Sequence, residues 1–284
     1  MVDHPPATLA TPQPATSPGA TVTLATWNVN SIRARLDSVV RWLQSNPVDL
    51  LCLQETKVTD EQFPLEPWEN LGYQIYCYGQ KSYNGVALVS RSPLTDVSYG
   101  FGGVLDPAIV GDLDQQKRLI TAQLQGIRVV NVYVPNGSSP DSEKYTYKMS
   151  WLATLKTYLE TLQQRGEEIH ICGDFNVALE DRDIYNPQGK QNHIMATPEE
   201  RQALQEVLAL GLADAFRKFT PDGGHFSWWD YRAGSFARNR GWRIDHHYLS
   251  QGLYDRALAC KIDAEPRSWP QPSDHTPVVL TLGC

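Results

Sequence analysis

Short apolar runs, separated by Gly, Pro, Asn and Asp, dominate the chain from Thr21 onward. Runs of this length between turn residues are typical of β-strands. The pattern therefore predicts a chain with more strands than helices. The predicted strands are Thr21–Asn28, Leu50–Gln54, Ile75–Tyr78, Gly85–Ser90, Asp96–Phe101, Leu119–Leu124, Arg128–Tyr133, Ile169–Cys172, Arg243–Leu249 and Val278–Leu282.

Three segments show helical periodicity instead. Leu36–Ser45 places its apolar residues on one face, with Asp37 in the first turn. Tyr145–Arg165 is the longest helical pattern and closes at Gly166, a residue that favours helix ends. Pro198–Leu210 follows Thr197, whose hydroxyl is suited to cap the first turn.

The mixture of hairpin-linked strands and helix-linked strands predicts an α/β fold. We expect a four-layered α/β sandwich, in which two mixed sheets pack face to face and helices flank them. A weak echo links the two halves, because TLATWN and IHICGDFN are both apolar strands that end on a polar tip carrying Asn. This echo hints at internal pseudo-symmetry.

The first twenty residues differ from the rest, since they are rich in Pro, Ala and Thr and show no periodicity. We predict a disordered tail over residues 1–20 and a single catalytic domain over residues 21–284. The tail lacks the features of a signal or transit peptide, and no apolar run is long enough to cross a bilayer. We therefore expect a soluble, intracellular protein that is cytoplasmic and monomeric.

The five cysteines are scattered and show no Cys-x-x-Cys spacing, so neither a disulfide framework nor a zinc site is indicated. Cys52 and Cys172 lie within apolar runs and are expected to be buried packing residues.

The net charge of −7 argues at first against a nucleic-acid partner. However, Arg232, Arg238, Arg240 and Arg243 lie between Asp230 and Asp245 with no acidic residue among them. Local positive charge there is suited to holding phosphates. A solvated loop with surface arginines is the alternative.

Carboxylates and amides follow the apolar strands at once. Charged groups beside buried runs are costly unless they are paired or bind a metal, so several of them suggest one shared site. The residues in question are Asn28, Glu55, Asp174, Asn176, Asp245, Asp274 and His275. Each has an ordinary alternative: a solvated strand end for Glu55, a turn for Asp174–Asn176, a surface or core histidine for His275, and a helix cap or a partner of Arg243 for Asp245. Tyr133 could likewise be an ordinary aromatic residue at a strand end.

Taken together, these residues favour phosphodiester hydrolysis. Mg²⁺ prefers carboxylate and amide oxygens, which Glu55, Asn28 and Asp274 offer. An Asp–His pair can orient or deprotonate a water, and Asn and Tyr side chains can contact phosphate oxygens.

At these positions the sequence resembles the exonuclease III family of abasic-site endonucleases, within the endonuclease/exonuclease/phosphatase superfamily. Seven segments carry the resemblance, in order along the chain from Thr21 to Leu282. They are TWNVNSIRARL (Thr26–Leu36), LCLQETK (Leu51–Lys57), NVYVPNG (Asn131–Gly137), GDFN (Gly173–Asn176), SWWDYR (Ser227–Arg232), NRGWRIDHHYLS (Asn239–Ser250) and SDHTPV (Ser273–Val278).

The resemblance implies a role for each matching residue. Glu55 is implied as the main Mg²⁺ ligand, with Mn²⁺ as a possible substitute, and the implied metal set is completed by Asn28, Asp174, Asn176, Asp274 and His275. The implied catalytic residues are Tyr133, Asp174, Asn176, Asp245 and His275. Contacts to DNA or phosphate are implied for Asn30, Arg33, Lys57, Asn136, Arg232 and Arg240. Lys57 is also expected to pair with a carboxylate near the metal.

The implied substrate is double-stranded DNA with abasic sites or 3′ ends. Because an abasic sugar lacks a base, it can enter an apolar pocket that excludes normal nucleotides. Trp228, Trp242 and Ile244 match the positions that line this pocket in the family, although three such residues could also be core. We expect incision 5′ to the lesion, with possible 3′-end cleaning and 3′–5′ exonuclease action.

Two segments depart from the family pattern: the tail and Asp181–His193, which we expect to form a loop near the DNA. Three other classes of protein are alternatives. A lipid-directed superfamily phosphatase should lack SWWDYR and NRGWRID, a secreted deoxyribonuclease should carry a signal peptide and disulfides, and a non-catalytic descendant should have lost a site residue.

Overall fold

The computed structural model describes residues 20–284, where twelve strands form two six-stranded mixed sheets. The first sheet has the order β11-β12-β1-β2-β4-β3. Its strands are β1 (Thr21–Asn28), β2 (Leu50–Gln54), β3 (Gln74–Tyr78), β4 (Val86–Ser90), β11 (Ala257–Ile262) and β12 (Val278–Gly283). The second sheet has the order β5-β6-β7-β8-β10-β9. Its strands are β5 (Thr95–Tyr99), β6 (Leu119–Leu124), β7 (Ile127–Tyr133), β8 (Glu168–Asp174), β9 (Leu212–Asp214) and β10 (Asp245–Ser250).

Each sheet contains one parallel pair at its centre, β1–β2 in the first and β7–β8 in the second. A helix connects the two strands of each pair, as parallel neighbours require. The helices of the described chain are α1 (Ile32–Ser45), α2 (Glu66–Glu69), α3 (Pro107–Val110), α4 (Glu143–Gln164), α5 (Pro198–Leu208), α6 (Ala215–Phe219) and α7 (Gln251–Arg256).

Three apolar clusters separate the four layers. One joins the facing sides of the two sheets, with Leu24 and Leu88 from the first and Ile120 and Val129 from the second. A second packs α1 on the outer face of the first sheet, and a third packs α4 and α5 on the outer face of the second. The predicted four-layered sandwich is therefore confirmed.

Several predicted boundaries differ from the structure. Helix α1 begins at Ile32, so Asp37 lies in its second turn and not in the first. Thr197 caps α5 as predicted, through a reciprocal pair of hydrogen bonds with Glu200. Strand β9 has three residues, and β11 contains a register shift between Ala257 and Ala259, so neither shows the alternation that would have revealed it.

Two further predictions concern the N-terminal tail and the number of domains. The predicted tail lies outside the described residues apart from Ala20, and the single-domain assignment stays a prediction. Within residues 20–284, none of the helices has both the length and the apolar character needed to cross a membrane.

Candidate active site

Polar side chains from both sheets converge at one edge of the sandwich. Asn28 ends β1, and Glu55 directly follows β2, its parallel neighbour. On the second sheet, Tyr133, Asp174 and Asp245 stand side by side in register on β7, β8 and β10. The two parallel pairs thus bring their carboxyl ends together, as the sequence pattern predicted.

Glu55 lies at the centre of a hydrogen-bonded group. Its Oε1 accepts bonds from Asn28 Nδ2 at 2.9 Å and from the Tyr133 hydroxyl at 2.8 Å, and its Oε2 lies 2.8 Å from Lys57 Nζ. Burial alone would raise the pKa of Glu55, but Lys57 and Asn28 outweigh it and hold that pKa below its usual value. Glu55 is therefore a carboxylate at neutral pH.

The backbone at two of these positions is constrained. Glu55 (φ 52°) and Asn176 (φ 48°) adopt left-handed conformations, which non-glycine residues enter at a cost. At Gly173, a side chain would lie 1.9 Å from the Val132 carbonyl oxygen, so only glycine fits before Asp174. The GDFN segment thus fixes the position of its Asp and Asn.

Asp174 is buried and accepts several hydrogen bonds. Its Oδ2 accepts from Asn28 Nδ2 at 2.9 Å, and its Oδ1 accepts from the Asn176 amide N–H at 2.9 Å. Burial raises the pKa of Asp174 to about 7, because the lowering effect of His275 and Asn28 is smaller and the Asp245 carboxylate raises it further. A carboxyl group with this pKa exchanges its proton near neutral pH.

Asp245 and His275 form the predicted pair. His275 Nδ1 lies 2.9 Å from Asp245 Oδ2, and its Nε2 lies 3.7 Å from Asp174 Oδ2. Burial would lower the pKa of His275, but Asp245 and Asp174 raise it to about 10. The ring is therefore an imidazolium at neutral pH. Because an imidazolium has no free lone pair, a role as metal ligand would require the neutral ring, and that role stays a prediction.

Asp274 lies at the side of this group. Its Oδ1 accepts from Asn30 Nδ2 at 3.0 Å, and its Oδ2 accepts from Trp228 Nε1 at 3.0 Å. Asn30 Oδ1 in turn accepts from Lys57 Nζ at 2.6 Å. Asp274 is thereby linked to Glu55 through two intervening side chains, and it ties the candidate sugar pocket to the carboxylate group.

Asn136 and Asn176 are joined across two loops, since Asn136 Nδ2 donates to Asn176 Oδ1 at 3.0 Å. Beneath them lies Lys148, fully buried on α4. Its ammonium donates to the carbonyl oxygens of both Asn176 and Asn136 and pairs with the buried Glu200. One cation therefore holds the backbone of both loops.

The three predicted pocket residues share one apolar cluster. Trp242 and Ile244 are buried and Trp228 is half-buried, and Trp228 also pairs with Trp242 and His275 through backbone bridges. Ile194 and Ile184 complete the same cluster. The aromatic surface thus lies directly beside the Asp245–His275 pair.

The arginines behave differently from one another. Arg33, Arg232 and Arg240 are exposed and donate no hydrogen bond to the carboxylates of the site among residues 20–284, and Arg232 pairs with Asp230. Arg243 is 1% exposed and pairs with Asp183 and Asp214. The expected positive surface between Asp230 and Asp245 is therefore reduced, because Arg243 is part of the core.

The same ion pairs revise the picture of the loop Asp181–His193. Asp183 is fully buried, and its carboxylate binds Arg243 at 2.7 Å and also pairs with Arg217. The segment then continues beside the pocket, where Ile184 pairs with Trp242. Asp183 and Ile184 thus anchor the segment to the core, while the residues on either side of them are largely exposed.

Three residues with evident roles in the site were not singled out in the sequence. Ser227 donates to Asp245 Oδ2 at 2.6 Å and accepts from the backbone of Ile244 and Asp245. Arg118 lies over the Tyr133 ring at 4.6 Å, and Lys148 holds the two asparagine loops. Ser227 lies within the SWWDYR segment, so its position was marked, although its partner was not.

One group in the site meets the geometric requirement for metal binding. Asp174, Asp245 and His275 each offer a ligand atom, and these atoms all lie within 4.8 Å of one another. Glu55 adjoins this group through the Asn28 amide nitrogen, which donates to both Glu55 and Asp174, so carboxylate oxygens outnumber ring nitrogens as possible ligands.

Comparisons with known proteins agree with this geometry. The model of the endonuclease/exonuclease/phosphatase family matches residues 25–275. An exodeoxyribonuclease of Bacillus subtilis is 37% identical over 262 residues, which cover 91% of this chain and 98% of the relative. Exodeoxyribonuclease III of Haemophilus influenzae is 37% identical over 264 residues, covering 89% and 96%.

Solved structures show the same likeness. An AP endonuclease from Archaeoglobus fulgidus superimposes with a TM-score of 0.86 at 40% identity, covering 92% of this chain and 99% of that one. A 3′ phosphatase from Neisseria, bound to a product DNA hairpin, superimposes with a TM-score of 0.87 at 39% identity, covering 93% and 100%.

The chain therefore belongs to the endonuclease/exonuclease/phosphatase family. It is an enzyme of the exodeoxyribonuclease III type, a nuclease that hydrolyses phosphodiester bonds. The predictions of family, fold and enzyme class are confirmed.

Proposed function

We propose that this protein is a Mg²⁺-dependent DNA repair nuclease that cuts 5′ to abasic sites and leaves a 3′-hydroxyl. The observation that carries the proposal is the direct contact between two sites. A carboxylate group around Glu55 and Asp174 adjoins an aromatic cluster through Asp274 and Trp228. A reacting phosphate and the sugar next to it require this arrangement.

The donor set fits a hard cation. Glu55 is a partly exposed carboxylate, and its three partners are all hydrogen-bond donors. Its oxygens therefore keep lone pairs that can bind a cation. Asn28, Asp174, Asn176 and Asp274 add oxygen ligands, which Mg²⁺ and Mn²⁺ accept. A bound Mg²⁺ ion would supply charge stabilisation for the phosphate oxygens.

The protein's own groups supply the proton chemistry. Asp174, with its pKa of about 7, takes the proton of the attacking water and can return it to the leaving oxygen. His275, held as an imidazolium by Asp245, donates a hydrogen bond to the reacting phosphate. Asn176 and Asn136 orient amide donors, and Tyr133 presents a hydroxyl beside Glu55.

Substrate choice rests on the aromatic cluster. Trp228, Trp242 and Ile244 form an apolar wall that accepts a sugar without its base, and a flipped abasic nucleotide costs least to extrude. The DNA backbone would be held by polar and basic residues that lie near the carboxylate group or are exposed to solvent. These are Asn30, Arg33, Lys57, Arg232 and Arg240. The similar structures include an AP endonuclease and a 3′ phosphatase bound to DNA, and this likeness supports both abasic-site cleavage and 3′-end processing.

The remaining assignments belong to the same proposal. The partner is double-stranded DNA, the protein acts as a monomer, and it works in the cytoplasm on nucleoid DNA.

The test is an incision assay on a duplex with one tetrahydrofuran abasic analogue. Wild-type protein should cut it 5′ to the analogue with Mg²⁺, while Glu55→Ala and Asp174→Ala should lose nearly all activity. Glu265→Ala, which removes an exposed carboxylate remote from the site, is the matched control and should cut normally.

Two parallel substrates separate the alternatives. An undamaged duplex with a recessed 3′ end measures exonuclease action, and an inositol phospholipid measures lipid phosphatase action. Release of phosphate from the lipid, with no cleavage of either DNA, would replace the proposal. Full activity in either site variant would reject the assigned residues.

A further inference from the structure

A second group of metal-ligating side chains lies between the two sheets. His170 and Cys172 project from β8 toward the sheet interface, and His247 on β10 stands opposite Cys172 in register. Each offers a ligand atom, and these atoms lie within 4.8 Å of one another. All three residues are completely buried, and the Cys172–His247 pair lies two register positions from the Asp174–Asp245 pair on the same two strands.

The hydrogen bonds of this group fix its protonation. His247 Nε2 lies 2.9 Å from the Val278 carbonyl oxygen, which can only accept, so Nε2 carries the hydrogen. In the neutral ring, Nδ1 of His247 is then a lone pair, and it lies 2.7 Å from His170 Nε2. A single hydrogen on His170 Nε2 joins the two rings.

These hydrogen bonds leave the group incompletely satisfied. With its hydrogen on Nε2, His170 has a lone pair on Nδ1, which is buried and has no partner. A buried polar atom without a partner costs about 1–3 kcal/mol. The histidines are therefore not explained as a closed hydrogen-bond network.

A fourth donor comes from the other sheet. Cys52 on β2 packs in the same buried cluster as Cys172, just outside the group whose ligand atoms lie within 4.8 Å of one another. The sandwich core thus encloses two sulfur and two nitrogen donors.

We propose that His170, Cys172 and His247, joined by a small shift of Cys52 as fourth ligand, form a buried binding site for a borderline-soft divalent cation, with Zn²⁺ as the expected ion. Two cysteines and two histidines are a set that tetrahedral Zn²⁺ accepts. Two thiolates balance the charge of the ion, so the complex is neutral and suited to an apolar core.

The surroundings support this assignment. Histidine ligands of metals usually donate their second N–H to a carbonyl or carboxylate, and Val278 already accepts from His247 in this way. The spacing of the cysteines along the chain did not indicate zinc, because the four donors come from three different strands. The proximity arises only when the sheets pack.

The site is distinct from the catalytic group in both chemistry and consequence. Glu55 and Asp274 are partly exposed and offer carboxylate oxygens, whereas this set presents sulfur and nitrogen inside the core. A cation here would join β2 of the first sheet to β8 and β10 of the second. Its binding would therefore be linked to folding, and its removal would lower thermal stability.

The test begins with metal content. Full-length protein is isolated without chelator, dialysed against EDTA and measured by mass spectrometry of its elements. About one zinc per chain should remain, as expected of a buried structural site. The protein is also refolded with Co²⁺, which should give thiolate-to-cobalt absorption in the near ultraviolet and tetrahedral bands in the visible.

Variants decide which residues bind. Cys172→Ser and His247→Gln should each lose the zinc and the thiolate–cobalt absorption. Glu55→Gln, which alters the catalytic group, and Cys260→Ser, which alters another buried core cysteine, should keep both. Circular dichroism confirms folding, and Cys52→Ala serves as a further variant if Cys172→Ser does not fold.

Two results would overturn the proposal. One is wild-type protein without zinc after isolation, and without cobalt absorption after refolding with the metal. The other is zinc retained by folded Cys172→Ser or Cys52→Ala. Neither readout depends on DNA cleavage, so failure here is distinguishable from failure of the proposed nuclease function.

Discussion

Asn28 and Asp174 are joined by a 2.9 Å hydrogen bond that crosses from one sheet to the other. The same Asn28 amide nitrogen donates to Glu55, so one side chain orients two carboxylates. Its hydrogen bond also lowers the pKa of Asp174, against the larger effect of burial. The bond therefore sets both the geometry and the protonation of the site.

We expect Asn28→Ala to reduce kcat on the abasic duplex by about 100-fold, the usual cost of removing one preorganised donor. The activity should also require higher pH, because Asp174 loses a group that favours its ionised form. Single-turnover rates between pH 6 and 9 would show both effects. Asn70→Ala, at an exposed position, should leave the rates unchanged.

The pH profile of kcat/KM is expected to be bell-shaped. Activity should rise as Asp174 loses its proton near pH 7 and fall as His275 loses its proton near pH 10. The Asp245 carboxylate raises both pKa values, so Asp245→Asn should move both limbs to lower pH. An alkaline limb that stays in place in Asp245→Asn would show that His275 does not produce it.

The buried Lys148–Glu200 pair predicts a large effect on stability. Removing one partner leaves an uncompensated buried charge, so Lys148→Met should lower the free energy of unfolding by about 3–5 kcal/mol. Replacing both partners, as in Lys148→Met with Glu200→Leu, should recover much of that loss.

Urea denaturation measures these changes. Lys156→Ala breaks a partly exposed ion pair on the same helix and should cost less than about 1 kcal/mol. Equal losses of unfolding free energy in Lys148→Met and Lys156→Ala would show that the buried Lys148 pair stabilises the protein no more than the exposed pair does.

Acid stability should depend on the ion pairs of Arg243. Burial would raise the pKa of Asp183 and of Asp214, but Arg243 holds both below the usual value. The unfolded chain therefore binds these protons at higher pH than the folded protein does. The stabilisation is complete above the usual aspartate pKa and is lost as the pH falls through the lowered values.

Asp183→Asn tests this dependence. The variant should be less stable at pH 7, and its free energy of unfolding should fall less steeply between about pH 5 and 2 than that of the wild type. Asp255→Asn, at an exposed position, should retain the wild-type slope. Parallel slopes for Asp183→Asn and wild type would assign the acid sensitivity to other groups.

Trp228 separates the two roles of the aromatic cluster. Trp228→Phe keeps an apolar ring but loses the hydrogen bond to Asp274, whereas Trp228→Ala loses both. We expect the preference for abasic over undamaged DNA to survive in Trp228→Phe and to fall at least about tenfold in Trp228→Ala. If the two variants prefer abasic over undamaged DNA to the same extent, the Trp228 ring does not contribute to substrate selection.

The convergence of the candidate site residues could be predicted where they follow strands. Asn28, Glu55, Tyr133 and Asp174 stand at the ends of clear apolar runs, so their convergence follows from the sandwich. Lys148 was missed because a lysine within a helix is usually solvated. A signal existed, since Lys148 shares a helix face with the buried Trp151, Leu152 and Leu155.

Other features depend on distant partners and could not be predicted from local pattern. Arg243 appeared to belong to a basic surface, and only the packing of Asp183 and Asp214 makes it internal. The group of Cys52, Cys172 and two histidines likewise depends on the approach of three strands. Residues far apart in sequence carry no mutual signal in a single chain.

The echo between the two halves has a topological counterpart. If the strands of the first sheet are numbered from β11, with β1 following β12, their spatial order in the sheet is 1-2-3-4-6-5. The strands of the second sheet, numbered from β5, have the same spatial order. The two ends of the described residues are adjacent, because the Cys284 amide donates to the Ala20 carbonyl oxygen at 2.8 Å. A circular permutant that joins these ends and opens between Ser92 and Pro93 would give each sheet its own continuous half of the polypeptide. Cutting such a permutant between β10 and β11 would yield two fragments, each carrying one side of the catalytic group, and their reassembly could be followed by the return of nuclease activity.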